Sequence, residues 1–192
     1  YNNSLSGNIP SNFGNIKGLS ALNLSDNQLT GEIPSEMFNI SDESGEGTLD
    51  YVDLSGNQLS GELSSFENCH NLGFLDLGDN QLTGELTDDL FTVPSWSSRN
   101  GIQAIPNSNN YGSLRILNNQ FSGPIPQSIG NMGSPFGSLS NSMLEIRLSH
   151  NNFTSFPMNI GELRELLILD VDYNPELTLL IDDEIGYDWS NM

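Results

Sequence analysis

The sequence is poor in basic residues, and it contains no long apolar run. Its 192 residues include 5 Lys and Arg against 25 Asp and Glu, for a formal net charge of −20. Binding to phosphate backbones depends on clustered Lys and Arg, so nucleic acid is not an expected partner, and an anionic membrane surface is disfavoured for the same reason. No stretch reaches the ~20 consecutive apolar residues of a membrane span, so we expect no span within this chain.

Cysteine and metal-ligand motifs are also scarce. Cys69 is the only cysteine, which excludes a disulfide within the chain, and we expect it to be a small buried hydrophobic residue. His70 and His150 lack metal-ligand spacing, and DVDYNPE at 170–176 has Pro175 where a calcium loop needs glycine. We therefore expect no cofactor, no metal and no enzyme activity.

Three stretches of the chain are nearly identical: LSDNQLTGEIP at 24–34, LSGNQLSGEL at 54–63 and LGDNQLTGEL at 77–86. Each fits the pattern L-x-x-L-x-L-x-x-N-x-L around one Asn. The anchors of the whole set are Asn3, Asn27, Asn57, Asn80, Asn119, Asn151 and Asn174. The short apolar alternation predicts strands, and leucines that one coil cannot bury alone predict coils stacked into a solenoid with a continuous core.

Each unit continues as L-x-G-x-I-P or a close variant, as in LSGNIP at 5–10, LTGEIP at 29–34 and FSGPIP at 121–126. This pattern resembles the plant-type leucine-rich repeat, and the resemblance covers nearly the whole chain. It departs at NNFTSFP, where Ser155 replaces the glycine. The resemblance implies an α/β fold: one right-handed leucine-rich repeat solenoid over residues 1–192, with about seven repeats, a parallel concave β-sheet and a mostly irregular or 3-10 convex side.

The polar positions of the repeat have physical explanations. A chain that turns inward buries backbone N–H and C=O groups, and an Asn amide supplies both a donor and an acceptor, so we expect the Asn column to satisfy the turns of neighbouring coils. The glycine suits a left-handed backbone position, and the proline suits a strand end where no donor is needed.

The strand positions that point away from the core form three columns, which together make up the predicted concave face. The first column is Asn23, Asp53, Asp76, Arg115, Arg147 and Asp170, and its neighbour is Ala21, Tyr51, Phe74, Ser113, Glu145 and Ile168. The third column is Asp26, Gly56, Asp79, Asn118, His150 and Tyr173. We expect partner contact on this face, because aromatic and Arg side chains are enriched in protein interfaces. The candidate contact residues are Tyr51, Asp53, Phe74, Asp76, Asp79, Arg115, Arg147 and Asp170. The two aromatic rings are expected to be exposed, the acidic residues to favour a basic partner, and the two Arg to bind a carboxylate or sulfate.

Irregular spacing of the anchors places insertions near 41–47, 93–112 and 131–142, followed by an irregular end at 175–192. Insertions in solenoids often lie on one face. Trp96 and Phe136 in these loops either plug the solenoid locally or contact a partner.

Another set of polar positions follows each Asn. Its members are Gln28, Gln58, Gln81 and Gln120; Thr30, Ser60, Thr83 and Ser122; and Glu32, Glu62 and Glu85. Stacked carboxylates suggest either a solvated acidic edge or bridging Ca²⁺, and repulsion of less than about 1 kcal/mol per pair favours the solvated edge. A regular hydroxyl row would suit ice binding, but we expect the long insertions to interrupt it.

Compartment and function follow from the same pattern. Asn2, Asn23, Asn39 and Asn152 begin glycosylation sequons, and the chain opens mid-repeat with YNNSLSGNIP, without a signal peptide. Resemblance to receptor-like ectodomains and polygalacturonase-inhibitor-like proteins implies an extracellular, secreted location; an organelle lumen is the alternative. The expected function is non-catalytic recognition of a protein, peptide or glycan, and the alternative is an accessory subunit of a larger assembly or wall.

Overall fold

Each repeat folds into one coil, and every coil after the first contributes a strand to each of two parallel sheets. The computed structural model describes residues 3–41, 48–92, 112–132, 144–163 and 166–179. Trp96, Phe136 and Asn2, with most of the predicted insertions, lie outside these residues. The strands are numbered β1 to β13 in chain order.

The first sheet, which we call the concave sheet, has six strands in the order β12-β10-β8-β6-β4-β2. They are β2 (Ala21–Asn23), β4 (Tyr51–Asp53), β6 (Phe74–Asp76), β8 (Gly112–Arg115), β10 (Leu144–Arg147) and β12 (Leu166–Asp170). From β2 to β10 one apolar residue of each strand turns inward, and Leu75, Leu114 and Ile146 are each 0% exposed, whereas Ile168 and Leu169 of the edge strand β12 are 39% exposed. The predicted parallel concave sheet is therefore confirmed.

The second sheet, which we call the outer sheet, was not predicted. It has seven strands in the order β1-β3-β5-β7-β9-β11-β13. They are β1 (Ser6–Asn8), β3 (Gln28–Gly31), β5 (Gln58–Glu62), β7 (Gln81–Gly84), β9 (Gln120–Pro124), β11 (Asn152–Phe156) and β13 (Thr178–Leu179). Each begins just after an Asn anchor, and its short polar sequence with a glycine is typical of a turn, which concealed it.

Short helices close the convex side. The 3-10 helices span Ser11–Asn15, Ser35–Asn39, Gln127–Asn131 and Met158–Glu162, and α1 spans Asp88–Phe91. The residue before each 3-10 helix is a proline, whose φ of −60 to −76° directs the chain from the outer sheet into the helix. No helix among the described residues is long and apolar enough to cross a membrane.

One continuous core lies between the sheets and the convex helices. The rings of Phe38 and Phe66, both nearly fully buried, have centroids 4.4 Å apart. Cys69 lies beside them, and its thiol donates to the Phe38 carbonyl at 3.2 Å. Burial, with a smaller effect of Asp89, raises the pKa of this thiol to about 12, so Cys69 is protonated and inert. It is the small buried residue that the sequence predicts.

The Asn column satisfies the backbone of neighbouring coils, as predicted. Oδ1 of Asn80 accepts the N–H of Leu59 in the preceding coil at 3.0 Å. Its Nδ2 donates to the carbonyls of Leu54, Leu77 and Gly78 at 3.0 to 3.1 Å. The same arrangement recurs at Asn57, Asn119, Asn151 and Asn174. The anchors therefore hold the coils together.

The repeat glycine also has the predicted left-handed backbone. Gly84 has φ +88°, and a Cβ built there would lie 2.7 Å from Cγ of Glu62 in the preceding coil. Ser155, which replaces this glycine in the sixth repeat, lies where the register between β9 and β11 shifts. The departure in sequence thus coincides with a local irregularity of the outer sheet.

Candidate functional site: the concave face

The side chains of the concave sheet form two aligned columns, as the sequence predicts. Tyr51 pairs with Phe74 across β4 and β6, and Asp53 pairs with Asp76. Arg115 pairs with Asp76 on one side and with Arg147 on the other. The candidate contact residues of these strands therefore lie side by side on one face.

The two aromatic side chains stack on each other. Tyr51 and Phe74 have ring centroids 4.4 Å apart and planes inclined by 10°, and the Arg115 guanidinium lies 5.5 Å from the Phe74 centroid. Phe74 is half-buried, but Tyr51 is only 8% exposed, so the prediction of an exposed Tyr51 is wrong. Burial, followed by the charge of Asp53, raises the pKa of Tyr51 to about 12. Tyr51 therefore supports Phe74 from behind.

The two arginines belong to a network of ion pairs. Arg115 lies 2.7 Å from Glu145 and 3.6 Å from Asp76. Arg147 binds the same Glu145 and lies 3.8 Å from Asp170. Each guanidinium thus holds two carboxylates of the chain itself, and binding of a partner's carboxylate or sulfate by the two Arg stays a prediction. The sequence carried a signal: Glu145 in one column lies between the two Arg of the other.

Burial acts differently on the two inner carboxylates of this network. Burial raises the pKa of Asp76 to about 6, against the opposing effects of the Gly78 N–H and Arg115. Burial also acts to raise the pKa of Glu145, but hydrogen bonds from Arg115 and Arg147 outweigh it and lower this pKa. Because Glu145 has two close cations and Asp76 has one distant cation, the charge concentrates at Glu145.

The acidic column also has a structural role that sequence reasoning missed. Oδ1 of Asp53 accepts the backbone N–H and the hydroxyl of Ser55, at 3.1 and 2.7 Å. Asn23 and Asp76 make the same kind of turn, to Ser25 and Gly78. The signal was an Asn or Asp two residues before Ser or Gly, which is typical of an Asx turn. One oxygen of each side chain is thus engaged by its own turn.

Asp79 belongs to the rim of the concave face rather than to a strand. The rim column, which follows each concave strand, is Asp26, Gly56, Asp79, Asn118, His150 and Tyr173, and every member has a positive φ between 52 and 65°. Asn118 donates to Asp79 at 2.7 Å. His150 and Tyr173 stack, with centroids 4.2 Å apart. The rim was predicted as a column, but its left-handed backbone was not.

The outer sheet does not align its polar positions into straight rows. Thr30 pairs with Gln58 rather than with Ser60, and Glu62 pairs with Thr83. From β1 to β9, each strand is displaced by two residues relative to the one before it, which separates equivalent side chains by about 8 Å instead of about 5 Å. The sheet is continuous, so the prediction that insertions interrupt the hydroxyl row is wrong; the displacement separates the hydroxyls instead.

The acidic edge holds no arrangement of ligands for a cation among the described residues. No group of three or more His, Cys, Asp or Glu there is placed to bind a metal ion. The displacement between strands accounts for this, because it also separates Glu32, Glu62 and Glu85 from one another.

Three of the four sequons fall on described residues. Asn23 donates to Asp53 on the concave face at 3.1 Å, and Asn39 accepts from Asn68 at 2.7 Å. Asn152 is exposed at the start of β11. A glycan on Asn152 would therefore project from the outer sheet, whereas one on Asn23 would cover the candidate contact surface.

The repeats and the two sheets define the class of protein. The family profile described as Leucine Rich Repeat matches residues 18–40 and 48–69. A comparison with curated protein sequences finds no match. The profile match covers two of the coils. The remaining coils belong to the same Asn column and add their strands to the same two sheets. The chain is thus a leucine-rich repeat protein, and its repeats are of the plant type.

Solved structures of plant proteins share this fold. The Arabidopsis receptor kinase HAESA, solved with the peptide hormone IDA and the co-receptor SERK1, is 31% identical with a TM-score of 0.60, over 93% of this chain and 29% of that one. The ectodomain of the Arabidopsis thaliana receptor kinase GASSHO1/SCHENGEN3, solved with CASPARIAN STRIP INTEGRITY FACTOR 2, is 28% identical with a TM-score of 0.63, over 93% and 21%. A plant ice-binding protein is 26% identical with a TM-score of 0.66, over 91% and 55%. This chain therefore spans less than a third of the length of these two receptors.

Proposed function

We propose that this chain is a non-catalytic recognition scaffold that binds a protein or peptide partner outside the cell through its concave sheet. The observation that carries the proposal is the half-buried Phe74 ring, which stacks on the buried Tyr51 and is bordered by Asp53 and Asp76. Aromatic side chains that are held rigidly lose little conformational entropy when a partner binds. The similar structures of receptors solved with peptides support the same class of function.

Within this proposal, Phe74 supplies the contact and Tyr51 supplies the support. The Arg115 guanidinium over Phe74 and its ion pairs to Asp76 and Glu145 fix the surface before binding. Asp53, Asp76 and Asp79 make this half of the face acidic, which favours a basic partner and an association rate that falls as salt rises. Arg147 and Asp170 extend the same network toward β12.

The test has two steps. Peptides that bind the wild-type chain are first selected from a displayed random library, and their affinity for variants of the chain is then measured. Phe74→Ala should weaken binding by more than about 1 kcal/mol, or about fivefold, because it removes the anchor. The matched control is the triple replacement of Glu32, Glu62 and Glu85 by Gln, on the outer sheet, which should change affinity much less. Unfolding of each variant in urea separates lost binding from lost stability.

Two results would overturn the concave assignment. One is the reverse order of effects, with the outer-sheet triple variant losing affinity and Phe74→Ala retaining it. The other is loss of binding only on Trp96→Ala, which would place contact in the insertion. A chain that occurs in native extract only within a stable large complex would move the accessory-subunit alternative ahead.

A further inference from the structure

The rim of the concave face imposes one backbone conformation on every coil. Its six residues, from Asp26 to Tyr173, have φ between 52 and 65°. Glycine adopts this conformation freely, and Asn and Asp tolerate it, whereas bulky side chains are strained there. The second to fifth coils use Asp26, Gly56, Asp79 and Asn118, as the backbone requires.

The last two described coils depart from this rule. His150 and Tyr173 occupy the rim with φ of 55 and 52°. Tyr173 is the clearer departure, because a bulky aromatic residue with positive φ is an outlier. The sequence thus accepts backbone strain at the one place where the rim carries aromatic rings, which indicates a role for the rings beyond forming the turn.

These rings are also accessible, unlike the aromatic pair at the centre of the sheet. His150 and Tyr173 stack with planes inclined by 24°, and Tyr173 is 74% exposed. With His150 covering one face of the Tyr173 ring, this exposure leaves the opposite face open among the described residues. By contrast, Phe74 lies between Tyr51 and Arg115, and Tyr51 is 8% exposed. The rim therefore presents an open aromatic face, whereas the centre presents a covered one.

The charge around the open ring is negative. Asp172 and Glu176 flank Tyr173 in the chain and are both exposed, and Asp170 lies on the adjoining strand. Arg147, which pairs with Asp170 across β10 and β12, is held by Glu145 and Asp170. An aromatic face with carboxylates close to it in the chain attracts a cation, and a planar guanidinium stacks on such a face better than an ammonium does.

We propose that the open face of Tyr173, with His150 behind it, is a docking platform for an arginine side chain of the partner. The proposal deepens the proposed function and rests on it, because it places a second contact at the far end of the same concave face. The partner is therefore expected to bind as an extended segment that carries a guanidinium group.

The test is a titration of the chain with N-acetyl-arginine amide, followed by NMR of the ring signals of His150 and Tyr173. The matched probe is N-acetyl-citrulline amide, which has the same shape without the charge. We expect saturable shifts at both rings with the arginine probe that are at least about threefold larger than with citrulline. Tyr173→Phe should retain them, because it keeps the ring, and Tyr173→Asn should lose them.

Stability supplies an independent readout. Because Asn tolerates positive φ, Tyr173→Asn should leave the urea midpoint unchanged or raise it. A lower midpoint would show that the His150–Tyr173 stack serves the fold, and this result would overturn the proposal. Equal ring shifts with the arginine and citrulline probes would overturn it as well. So would ring shifts that appear only with methyl β-glucoside, a probe for a glycan partner. If Phe74→Ala abolishes peptide binding while the arginine probe leaves Tyr173 unshifted, this proposal alone fails and the proposed function stands.

Discussion

Replacement of Asn80 by Ala tests how the coils are held together, and the structure sets the size of the effect. The Leu54 and Leu77 carbonyls that Asn80 binds keep a second donor, from Asn57 and Asn119 respectively. The Gly78 carbonyl keeps the N–H of Gly56. Asn80→Ala therefore leaves one group without its hydrogen bond from the Asn column, the backbone N–H of Leu59. One unpaired donor predicts a loss of about 1–3 kcal/mol in the free energy of unfolding.

The assay is urea unfolding followed by far-UV circular dichroism at pH 7. Gln81→Ala is the matched control, because Gln81 is the next residue and is exposed on β7, so it should change stability by less than about 0.5 kcal/mol. Asn80→Asp sharpens the test: it keeps Oδ1 for Leu59 but turns a second oxygen toward three carbonyls, so it should destabilise more than Ala does. Equal stability of wild type and Asn80→Asp would refute the role of the amide donor.

Two further predictions concern the core and the ion-pair network. Leu77→Ala should cost about 2–5 kcal/mol in urea unfolding because Leu77 is 0% exposed, whereas Leu167→Ala, at a 55% exposed site, should cost much less; similar costs would contradict the continuous core. The pKa of Asp76 is raised from 3.8 to about 6, so its contribution to stability is fully present below pH 3.8 and is lost as pH rises through 6. Asp76→Asn keeps the turn to Gly78 and should therefore gain stability relative to wild type between pH 4 and 7, by at most about 3 kcal/mol; a constant difference over this range would show that Asp76 does not titrate there.

Features that depend on one repeat were predictable from the sequence, because every copy restates them. The Asn anchors, the inward Leu positions and the left-handed glycine each recur at a fixed place. The two concave columns followed from the same alignment, and Tyr51 and Phe74 do lie in adjacent strands. The face was therefore predictable, whereas its function is a proposal.

Features that depend on how neighbouring coils meet were not predictable from one copy. Tyr51 is buried because Phe74 of the next coil stacks on it, although neither enters the core. From β1 to β9 the outer strands are displaced by two residues per coil, which no single repeat encodes. The ion pairs of Arg115 and Arg147 depend on both columns, because Glu145 of one column lies between the two Arg of the other.

The longer breaks in the described chain fall at the same point of the coil, outside both sheets. The breaks in the described chain at 42–47, 93–111 and 133–143 each follow a convex helix and precede a concave strand. The outer strands on either side of each break still pair directly, as Thr83 of β7 does with Gln120 of β9. Because the entropic cost of a loop rises slowly with its length, insertions at this point leave both sheets intact. The sequence can therefore vary at these loops while the concave face and its rim keep their geometry, which is the property that a recognition scaffold needs.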